Sequence, residues 1–180
     1  MPSWRGLLLY PIGSISLGVI QDSVDFIRDS FNGLLDVYVV TQKTNPPLHH
    51  MDWDRLQYKA YELTVWLHDR SRSMVRSGYM VVGVCDCDAY VEGLNFVFGL
   101  ALPELGVATV YTRRLRSRDH GLYSYRLAKE VVHEAGHILG LGHCPEKGCV
   151  MSFSNTLDDV DRKSHRFCDK CLSRIRKNIS

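Results

Sequence analysis

The sequence predicts a mixed α/β (α+β) fold in which helices pack on a twisted sheet of about five strands. Its 180 residues are enough for one domain that buries its own core. A hydrophobic content of 45% with 23% charged residues is typical of a globular protein. Along residues 1–140, short apolar runs alternate with segments of helical periodicity, which is the pattern of a sheet covered by helices.

The strands are predicted from short apolar runs, several of them β-branched, that are bounded by glycine, proline or polar residues. They are Leu7–Ile12, Leu34–Val40, Tyr79–Val84, Leu94–Leu100 and Val107–Arg113. The segment Thr41–Leu48 contains two adjacent prolines and is predicted to be a loop.

Three helices are predicted from apolar residues at helical spacing. The first is Ile15–Phe31, and the Asn32-Gly33 pair that follows is a typical stop signal. In the second helix Asp52 is the predicted N-cap and the end is near Met74. The third helix is Tyr123–Leu139. These elements place the sheet and its helices in the first three quarters of the chain.

The chain is expected to form a single domain, 1–180, with an N-terminal part at 1–142 and a cysteine-rich C-terminal subdomain at 143–180. This C-terminal part holds four of the six cysteines and many charges, but little apolar periodicity. A segment that cannot bury enough apolar surface needs a cross-link in order to fold.

The strongest chemical signal is the run His-Glu-Ala-Gly-His-Ile-Leu-Gly-Leu-Gly-His at residues 133–143. On a helix His133 and His137 lie one turn apart on the same face, so both rings can reach one ion. A left-handed Gly140 ends the helix and lets the chain return His143 to that ion. Three protein ligands leave a fourth position for water, as in catalytic zinc sites. Glu134 lies roughly 100° further round the helix than His133 and is predicted to be the catalytic base.

Four sulfur side chains have the spacing of a second metal site. They belong to Cys144, Cys149, Cys168 and Cys171. Four ligands fill a tetrahedral shell, so zinc bound there would be structural and would cross-link the C-terminal part. Free thiols or disulfides are the alternative. Cys85 and Cys87 would face the same side of a strand, and we interpret them as small buried or edge residues.

The extended histidine motif is the signature of the metzincin clan of zinc peptidases, and this sequence resembles the archaemetzincin branch. In that family the third histidine is followed directly by cysteine, then by four residues, a second cysteine, one residue and a methionine. Here His143-Cys144, Cys149 and Met151 hold those positions, and a Cys-x-x-Cys follows at 168–171. The segment Leu94–Leu100 also resembles the family.

The resemblance implies a zinc-dependent peptidase with two zinc ions per chain, one catalytic and one structural. It implies a metzincin-like sheet with one antiparallel edge strand above the cleft. It also implies that Met151 is the methionine of the clan's tight turn, packed beneath the metal. Some metzincins carry a tyrosine two residues after that methionine as an oxyanion donor. This chain has Phe153 at that position, so this particular donor is missing.

These observations favour metal-assisted hydrolysis of a peptide bond, in which Glu134 takes the proton of the attacking water and delivers it to the leaving amine. The peptide or protein substrate is expected to lie extended along an exposed strand edge, with Leu94–Leu100 as the candidate. Two alternatives stay open. One is a zinc-stabilised binding module with a vestigial histidine site and a basic tail that contacts nucleic acid. The other is a zinc hydrolase that acts on a small amide.

Charge and hydropathy argue against a nucleic-acid or membrane partner. The formal net charge is only +2, and no stretch approaches the ~18–20 apolar residues of a membrane span. The apolar run Leu7–Tyr10 is too short for a signal peptide, so a cytoplasmic location is expected. We interpret the arginines at 113–118 and the basic residues of the tail as solvated. This set includes Lys163, and Asp161 and His165 are interpreted as ordinary groups as well.

Overall fold

A computed structural model describes residues 4–179 of the chain. Residues 1–3 and Ser180 belong to the expected domain 1–180 but lie outside the described residues. Within 4–179 the strands are β1 (Gly6–Ile12), β2 (Asp36–Val39), β3 (Met51–Asp52), β4 (Gln57–Lys59), β5 (Tyr79–Cys85), β6 (Ala89–Tyr90), β7 (Gly99–Leu102) and β8 (Val107–Tyr111). The helices are α1 (Leu17–Phe31), α2 (Ala60–Arg76), α3 (His120–Ile138), α4 (Leu157–Arg162) and α5 (Asp169–Ile179).

The main sheet has five strands in the order β2-β1-β5-β8-β7. The first four run parallel to one another. Strand β7 is antiparallel to β8, with Leu100 opposite Thr109, and forms one edge of the sheet. This confirms the expected mixed sheet with one antiparallel edge strand. A second, smaller sheet has the order β3-β4-β6.

The two faces of the main sheet are covered by different helices because alternate side chains of each strand point to opposite faces. On one face Leu7, Leu9 and Val82 pack in a core with residues of α1 and α3. On the other face Tyr10 and Val81 pack in a second core with residues of α2. Both faces of the inner strands β1, β5 and β8 are therefore buried, as is usual for parallel sheets, whereas the edge strand β2 keeps one exposed face.

Helix α3 is fixed at both ends by its own sequence. The side chain of Asp119 accepts a hydrogen bond of 3.0 Å from the backbone N–H of Leu122, which caps the first turn. At the other end Gly140 has φ 84°, and the N–H groups of Gly140 and Leu141 donate to the carbonyl groups of His137 and Gly136. This glycine-terminated arrangement confirms the predicted helix end and turns the chain sharply after α3.

The predicted helix with Asp52 as its N-cap is wrong at its N-terminal end. The chain forms the β3–β4 hairpin first, and helix α2 begins only at Ala60. The carboxylate of Asp52 instead accepts hydrogen bonds of 3.1 Å from the N–H groups of Asp54 and Arg55 within the hairpin turn. An aspartate that caps a helix and one that closes a turn accept the same kind of backbone bond.

The predicted strand Leu94–Leu100 is also wrong in its bounds. Residues 94–98 have no regular structure, and strand β7 begins at Gly99. The segment is apolar because several of its side chains line a cleft, as described below, and not because it lies in the sheet. No helix within residues 4–179 is both long and apolar enough to cross a membrane.

We predict that Gly83→Ala on β5 destabilises the fold by about 1–3 kcal/mol because it overpacks the centre of the sheet. A Cβ atom at this position would lie 2.8 Å from Leu67 Cδ2 and 2.9 Å from Ile12 Cδ1. Urea unfolding would measure the loss. Gly18→Ala, in the first turn of α1, is the control, because a Cβ there meets only Ser16 Oγ at 3.5 Å. Equal stability of the two variants would contradict this account of the packing.

Candidate active site

Three histidines converge at the C-terminal end of α3. The Nε2 atoms of His133 and His137 are 3.1 Å apart, and one ring nitrogen from each of His133, His137 and His143 lies within 4.8 Å of the others. In a tetrahedral zinc site with Zn–N bonds of about 2.0–2.1 Å, ligand nitrogens are separated by about 3.3 Å. The donor types and their spacing therefore fit a zinc ion.

Backbone carbonyl groups fix the orientation of two of these rings. His133 Nδ1 lies 2.8 Å from the carbonyl oxygen of Val150, and His137 Nδ1 lies 2.8 Å from that of Leu141. A carbonyl oxygen can only accept, so each Nδ1 carries the hydrogen and each Nε2 presents a lone pair to the shared space. This support of the far ring nitrogen is typical of metal-binding histidines.

Burial favours the neutral form of the three imidazoles. It lowers the pKa of His133 well below its ordinary value, and the nearby charge of Lys163 lowers it further. Burial also lowers the pKa of His137 and of His143, although His143 is the most exposed of the three. The neutral imidazole is the form that binds a metal ion.

The Glu134 carboxyl group is buried beside the edge strand, with 5% of the residue exposed. A Cβ atom on Gly99, the first residue of β7, would lie 2.5 Å from Glu134 Oε1, so the strand approaches this carboxyl group through a position without a side chain. Burial, and then the Glu130 carboxylate, raise the pKa of Glu134 to about 8, against the lowering effect of Lys163. A pKa in this range suits a group that takes up and releases a proton.

Met151 lies under α3 at the level of the histidines. Its side chain is fully buried, and its sulfur is the atom nearest to a Cβ built on Gly136, which lies between His133 and His137 in the helix. The space for Met151 therefore depends on the absence of a side chain at Gly136. The carbonyl oxygen of Met151 also accepts a 2.9 Å hydrogen bond from the N–H of Cys144.

The histidines open into a cleft of about 510 Å³. One wall is formed by residues 94, 96–101 and 103, which include the start of β7 and the apolar segment before it. Phe153, Ser154 and Asn155 also line the cleft. Apart from Glu130, Glu134 and the three histidines, the lining is mostly apolar, which is common for sites that bind organic ligands.

The four sulfur atoms that were predicted to form a second metal site also lie close together. One sulfur from each of Cys144, Cys149, Cys168 and Cys171 lies within 4.8 Å of the others, and the Sγ atoms of Cys144 and Cys168 are 3.8 Å apart. A regular tetrahedron with Zn–S bonds of about 2.3 Å has edges of about 3.8 Å. The thiols are free, and the donor set fits a zinc ion that keeps no open position for a substrate.

The sulfur cluster and the histidine cluster are joined by a short stretch of chain. Val150, whose carbonyl contacts His133, lies between Cys149 and Met151, and its N–H donates to the carbonyl of Arg166 at 2.9 Å. The N–H of Cys168 donates to Cys149 Sγ at 3.3 Å. The same few residues thus close the sulfur cluster and orient one of the histidines.

Sequence reasoning missed a buried ion pair beside the site, and the interpretation of Lys163 as solvated is wrong. Lys163 Nζ lies 2.8 Å from Glu130 Oε1, and the two side chains are 1% and 3% exposed. Lys163 Nζ is also 3.5 Å from His133 Nδ1. Helical spacing marks Glu130, because it lies one turn before Glu134, but no local pattern marks a lysine thirty residues further along the chain.

Other charged residues also pair rather than face solvent. Arg126 binds Asp161 through two hydrogen bonds, of 2.7 and 2.5 Å, and buried Lys129 donates to the carbonyl of Val160 at 2.9 Å. These bonds hold α4 against α3. Arg114 binds Asp88 at 2.8 and 2.7 Å, so the arginine-rich segment is only partly solvated.

His165 is largely buried, and its Nε2 atom lies 2.6 Å from Asp29 Oδ2 on α1, outside the histidine cluster. Cys85 and Cys87 are both buried in the core beside α2, as expected.

Comparison with known proteins assigns the family. The model of peptidase family M54 matches residues 19–177. The chain belongs to this family, the archaemetzincins. An archaemetzincin from Aeropyrum pernix is 49% identical over 135 residues, which cover 75% of this chain and 74% of that protein. The resemblance inferred from the cysteine and methionine spacing is therefore confirmed.

Solved structures of related proteins share the fold. A zinc-dependent peptidase from Methanocorpusculum labreanum superposes with a TM-score of 0.86 at 29% identity, over 94% of this chain and 100% of that one. An archaemetzincin from Methanopyrus kandleri superposes with a TM-score of 0.81 at 35% identity, over 97% and 96% of the two chains. The metzincin-like fold predicted for this archaemetzincin chain is thus confirmed.

We predict that Lys163→Met destabilises the protein by about 3–5 kcal/mol, because it leaves the Glu130 carboxylate buried without its partner. The double variant Glu130→Gln/Lys163→Met should recover most of this loss, since neither charge remains. Denaturant unfolding of the wild type, both single variants and the double variant would measure the coupling. Lys177→Met, which removes an exposed lysine of the same tail, is the control. Additive losses in the double variant would contradict the assigned pairing.

Proposed function

We propose that this archaemetzincin is a zinc-dependent metallopeptidase, with His133, His137 and His143 as ligands of the catalytic zinc and Glu134 as general base. The observation that carries the proposal is the convergence of three imidazoles beside a buried carboxyl group, in a cleft that the edge strand of a sheet helps to line. Membership in a peptidase family supports the same chemistry.

Zinc bound by these residues would supply a Lewis acid that activates water and polarises the scissile carbonyl. The protein's own groups do the rest. The Glu134 carboxylate takes the proton of the attacking water and delivers it to the nitrogen of the leaving amine. The lining of the cleft is mostly apolar, so a substrate that covers the site would exclude water and strengthen the electrostatic interactions within it.

The substrate is proposed to bind in an extended conformation along β7. This strand is the edge of the main sheet, and its first residues lie in the cleft wall beside Glu134. A free strand edge can pair with the backbone of a peptide regardless of its side chains. The proposed strand therefore shifts from residues 94–100 to residues 99–102, and the apolar segment before it contributes side-chain contacts.

Two further features of the clan are proposed here. Met151, buried against Gly136, is the methionine beneath the metal site. Phe153 lines the cleft with its ring centroid 5.1 Å from that of His143, but it has no hydroxyl group to donate to an oxyanion. Zinc held by the three histidines would therefore have to supply the stabilisation of the developing negative charge, together with any other donor in the cleft wall.

The second zinc is proposed to be structural and to be bound by Cys144, Cys149, Cys168 and Cys171. The 3.8 Å sulfur separation and the complete set of four donors support this assignment. Zinc binding there would stabilise residues 143–180 as a subdomain of the single domain 1–180, because binding free energy adds to folding free energy. The cytoplasmic location expected from the sequence is kept as a proposal.

The two alternatives, a nucleic-acid-binding module and a hydrolase of small amides, make different predictions. A nucleic-acid-binding tail needs unpaired basic residues, whereas three basic residues of the tail, Arg162, Lys163 and Arg166, pair with acidic groups. We therefore propose a peptide or protein substrate and no nucleic-acid partner. A small-amide hydrolase remains an outcome of the experiment below, in which amides and peptides are compared directly.

The test is zinc analysis combined with peptide hydrolysis. Wild type should contain two zinc ions per chain and His137→Ala one, because only the histidine site is lost. Glu134→Gln should retain both ions while kcat falls roughly 10²- to 10⁴-fold, because the base is removed and the ligands are not. A Glu134→Gln variant as active as wild type, or hydrolysis of small amides only, would overturn the peptidase assignment.

We also predict that Gly99→Ala lowers kcat by up to roughly 10²-fold, because the new methyl group displaces the Glu134 carboxyl group from the site. The zinc content should stay at the wild-type value, since no ligand is touched. Ala101, on the same strand, provides the control through Ala101→Gly, which removes a methyl group and adds no clash. Steady-state kinetics and metal analysis of both variants would check this. Unchanged kcat in Gly99→Ala would show that the strand does not constrain Glu134.

A further inference from the structure

The turn that joins β3 to β4, residues 53–56, exposes two large apolar side chains. Trp53 is 61% exposed and Leu56 is 64% exposed. Single exposed apolar residues are common, but a tryptophan and a leucine presented by one four-residue turn form a candidate binding surface. The turn belongs to the hairpin that replaces the predicted start of α2.

Leu56 has a backbone conformation that a leucine rarely adopts. Its φ is +53°, in the left-handed region that favours glycine and asparagine. The rest of the turn is well supported, since Asp52 Oδ1 accepts the N–H groups of Asp54 and Arg55. Neither burial nor a tight contact in the fold requires a branched side chain at this position. Such an outlier favours a role outside folding.

The turn is bonded to the rim of the catalytic cleft. The guanidinium group of Arg55 donates to the carbonyl oxygens of Leu94 at 3.2 Å and of Asn95 at 3.0 Å. Gln57 Nε2 also donates to the carbonyl of Asn95, at 3.0 Å. Leu94 lines the cleft and is itself 48% exposed. Arg55 and Gln57 therefore hold the turn beside the part of the rim that Leu94 forms.

The same network cross-links the hairpin to this rim. Asp88 accepts hydrogen bonds from Gln57 at 3.1 Å and from Arg114 at 2.8 and 2.7 Å. The guanidinium group of Arg114 lies 4.1 Å from the ring centroid of Phe96, which lines the cleft. Hydrogen bonds and a cation–π contact thus link the hairpin, the rim and the cleft wall. A peptide that binds across them does not first have to order a loop, which avoids an entropy cost.

We propose that the 53–56 turn is a secondary binding site for the substrate polypeptide. An unfolded segment that leaves the cleft over Leu94 places apolar side chains against Trp53 and Leu56. The occupant is a polypeptide continuous with the one in the cleft, because Arg55 and Gln57 bond the turn directly to the cleft rim at Leu94 and Asn95. This inference rests on the proposed peptidase function, and it predicts that long substrates with apolar residues outside the cleft are preferred to short ones.

The first experiment compares short and long peptides. The short peptide fills the cleft only, and two long peptides add an apolar extension at one end or the other. Trp53→Ser and Leu56→Asn should each raise KM for one of the long peptides roughly 5- to 30-fold, as expected for an apolar anchor. Both variants should leave kcat unchanged for all peptides, and they should leave KM unchanged for the short peptide. The control is Tyr38→Ser, since Tyr38 is 47% exposed on β2 at the opposite edge of the sheet.

A second variant separates binding from folding. Leu56→Gly relieves the left-handed backbone, so its melting temperature should equal or exceed that of wild type while its affinity for the long peptide falls. Fluorescence anisotropy of labelled peptides in the Glu134→Gln background measures affinity without turnover. A structural role alone would lower stability and leave affinity unchanged.

The outcomes separate the two proposals. Equal losses for short and long peptides, or an effect of Tyr38→Ser as large as that of Trp53→Ser, would overturn the secondary site. Self-association that is abolished by Trp53→Ser would also overturn it, by assigning the surface to a second copy of the chain. If wild type hydrolyses neither peptide, the proposed function fails, and the anisotropy measurements still decide whether the turn binds a polypeptide.

Discussion

The hydrogen bond between His133 and the carbonyl of Val150 is the interaction on which the rest of the site depends. It forms only when the chain after α3 has reversed at Gly140 and the C-terminal tail has folded back under the helix. Val150 is held in turn by Arg166 and by its place beside Cys149. The geometry of the histidines is therefore a property of two chain segments together, and helix α3 alone would leave His133 free to rotate.

A second constraint is the burial of charge along α3. Glu130 and Glu134 lie one turn apart on the same face of the helix, and neither is more than 5% exposed. Two carboxylates in such an environment repel each other and are poorly solvated. Lys163 supplies the compensating charge from the tail. Because this lysine also contacts His133, the balance of charge and the position of a metal-binding ring are coupled.

Much of this arrangement could be predicted from the sequence, because the histidine and glycine spacing of α3 is a local pattern with one geometric solution. The position of Lys163 could not, since it depends on a contact with a residue more than thirty positions away in a tail without periodicity. Asp52 was wrongly predicted to begin a helix, because an aspartate carboxylate accepts the same kind of backbone hydrogen bond in a turn as at the start of a helix. Residues 94–98 were wrongly predicted to form a strand, because an apolar segment that lines a cleft has the same composition as a buried strand.

The packing of Met151 against Gly136 limits how this sequence can evolve. A side chain at Gly136 collides with the methionine sulfur, and a shorter residue at Met151 leaves a void beneath the histidines as long as the glycine remains. Either single substitution thus passes through a destabilised intermediate, although the two together conserve volume. Residues 136 and 151 should therefore change together during evolution. A substitution at one of them should be tolerated only with a compensating substitution at the other.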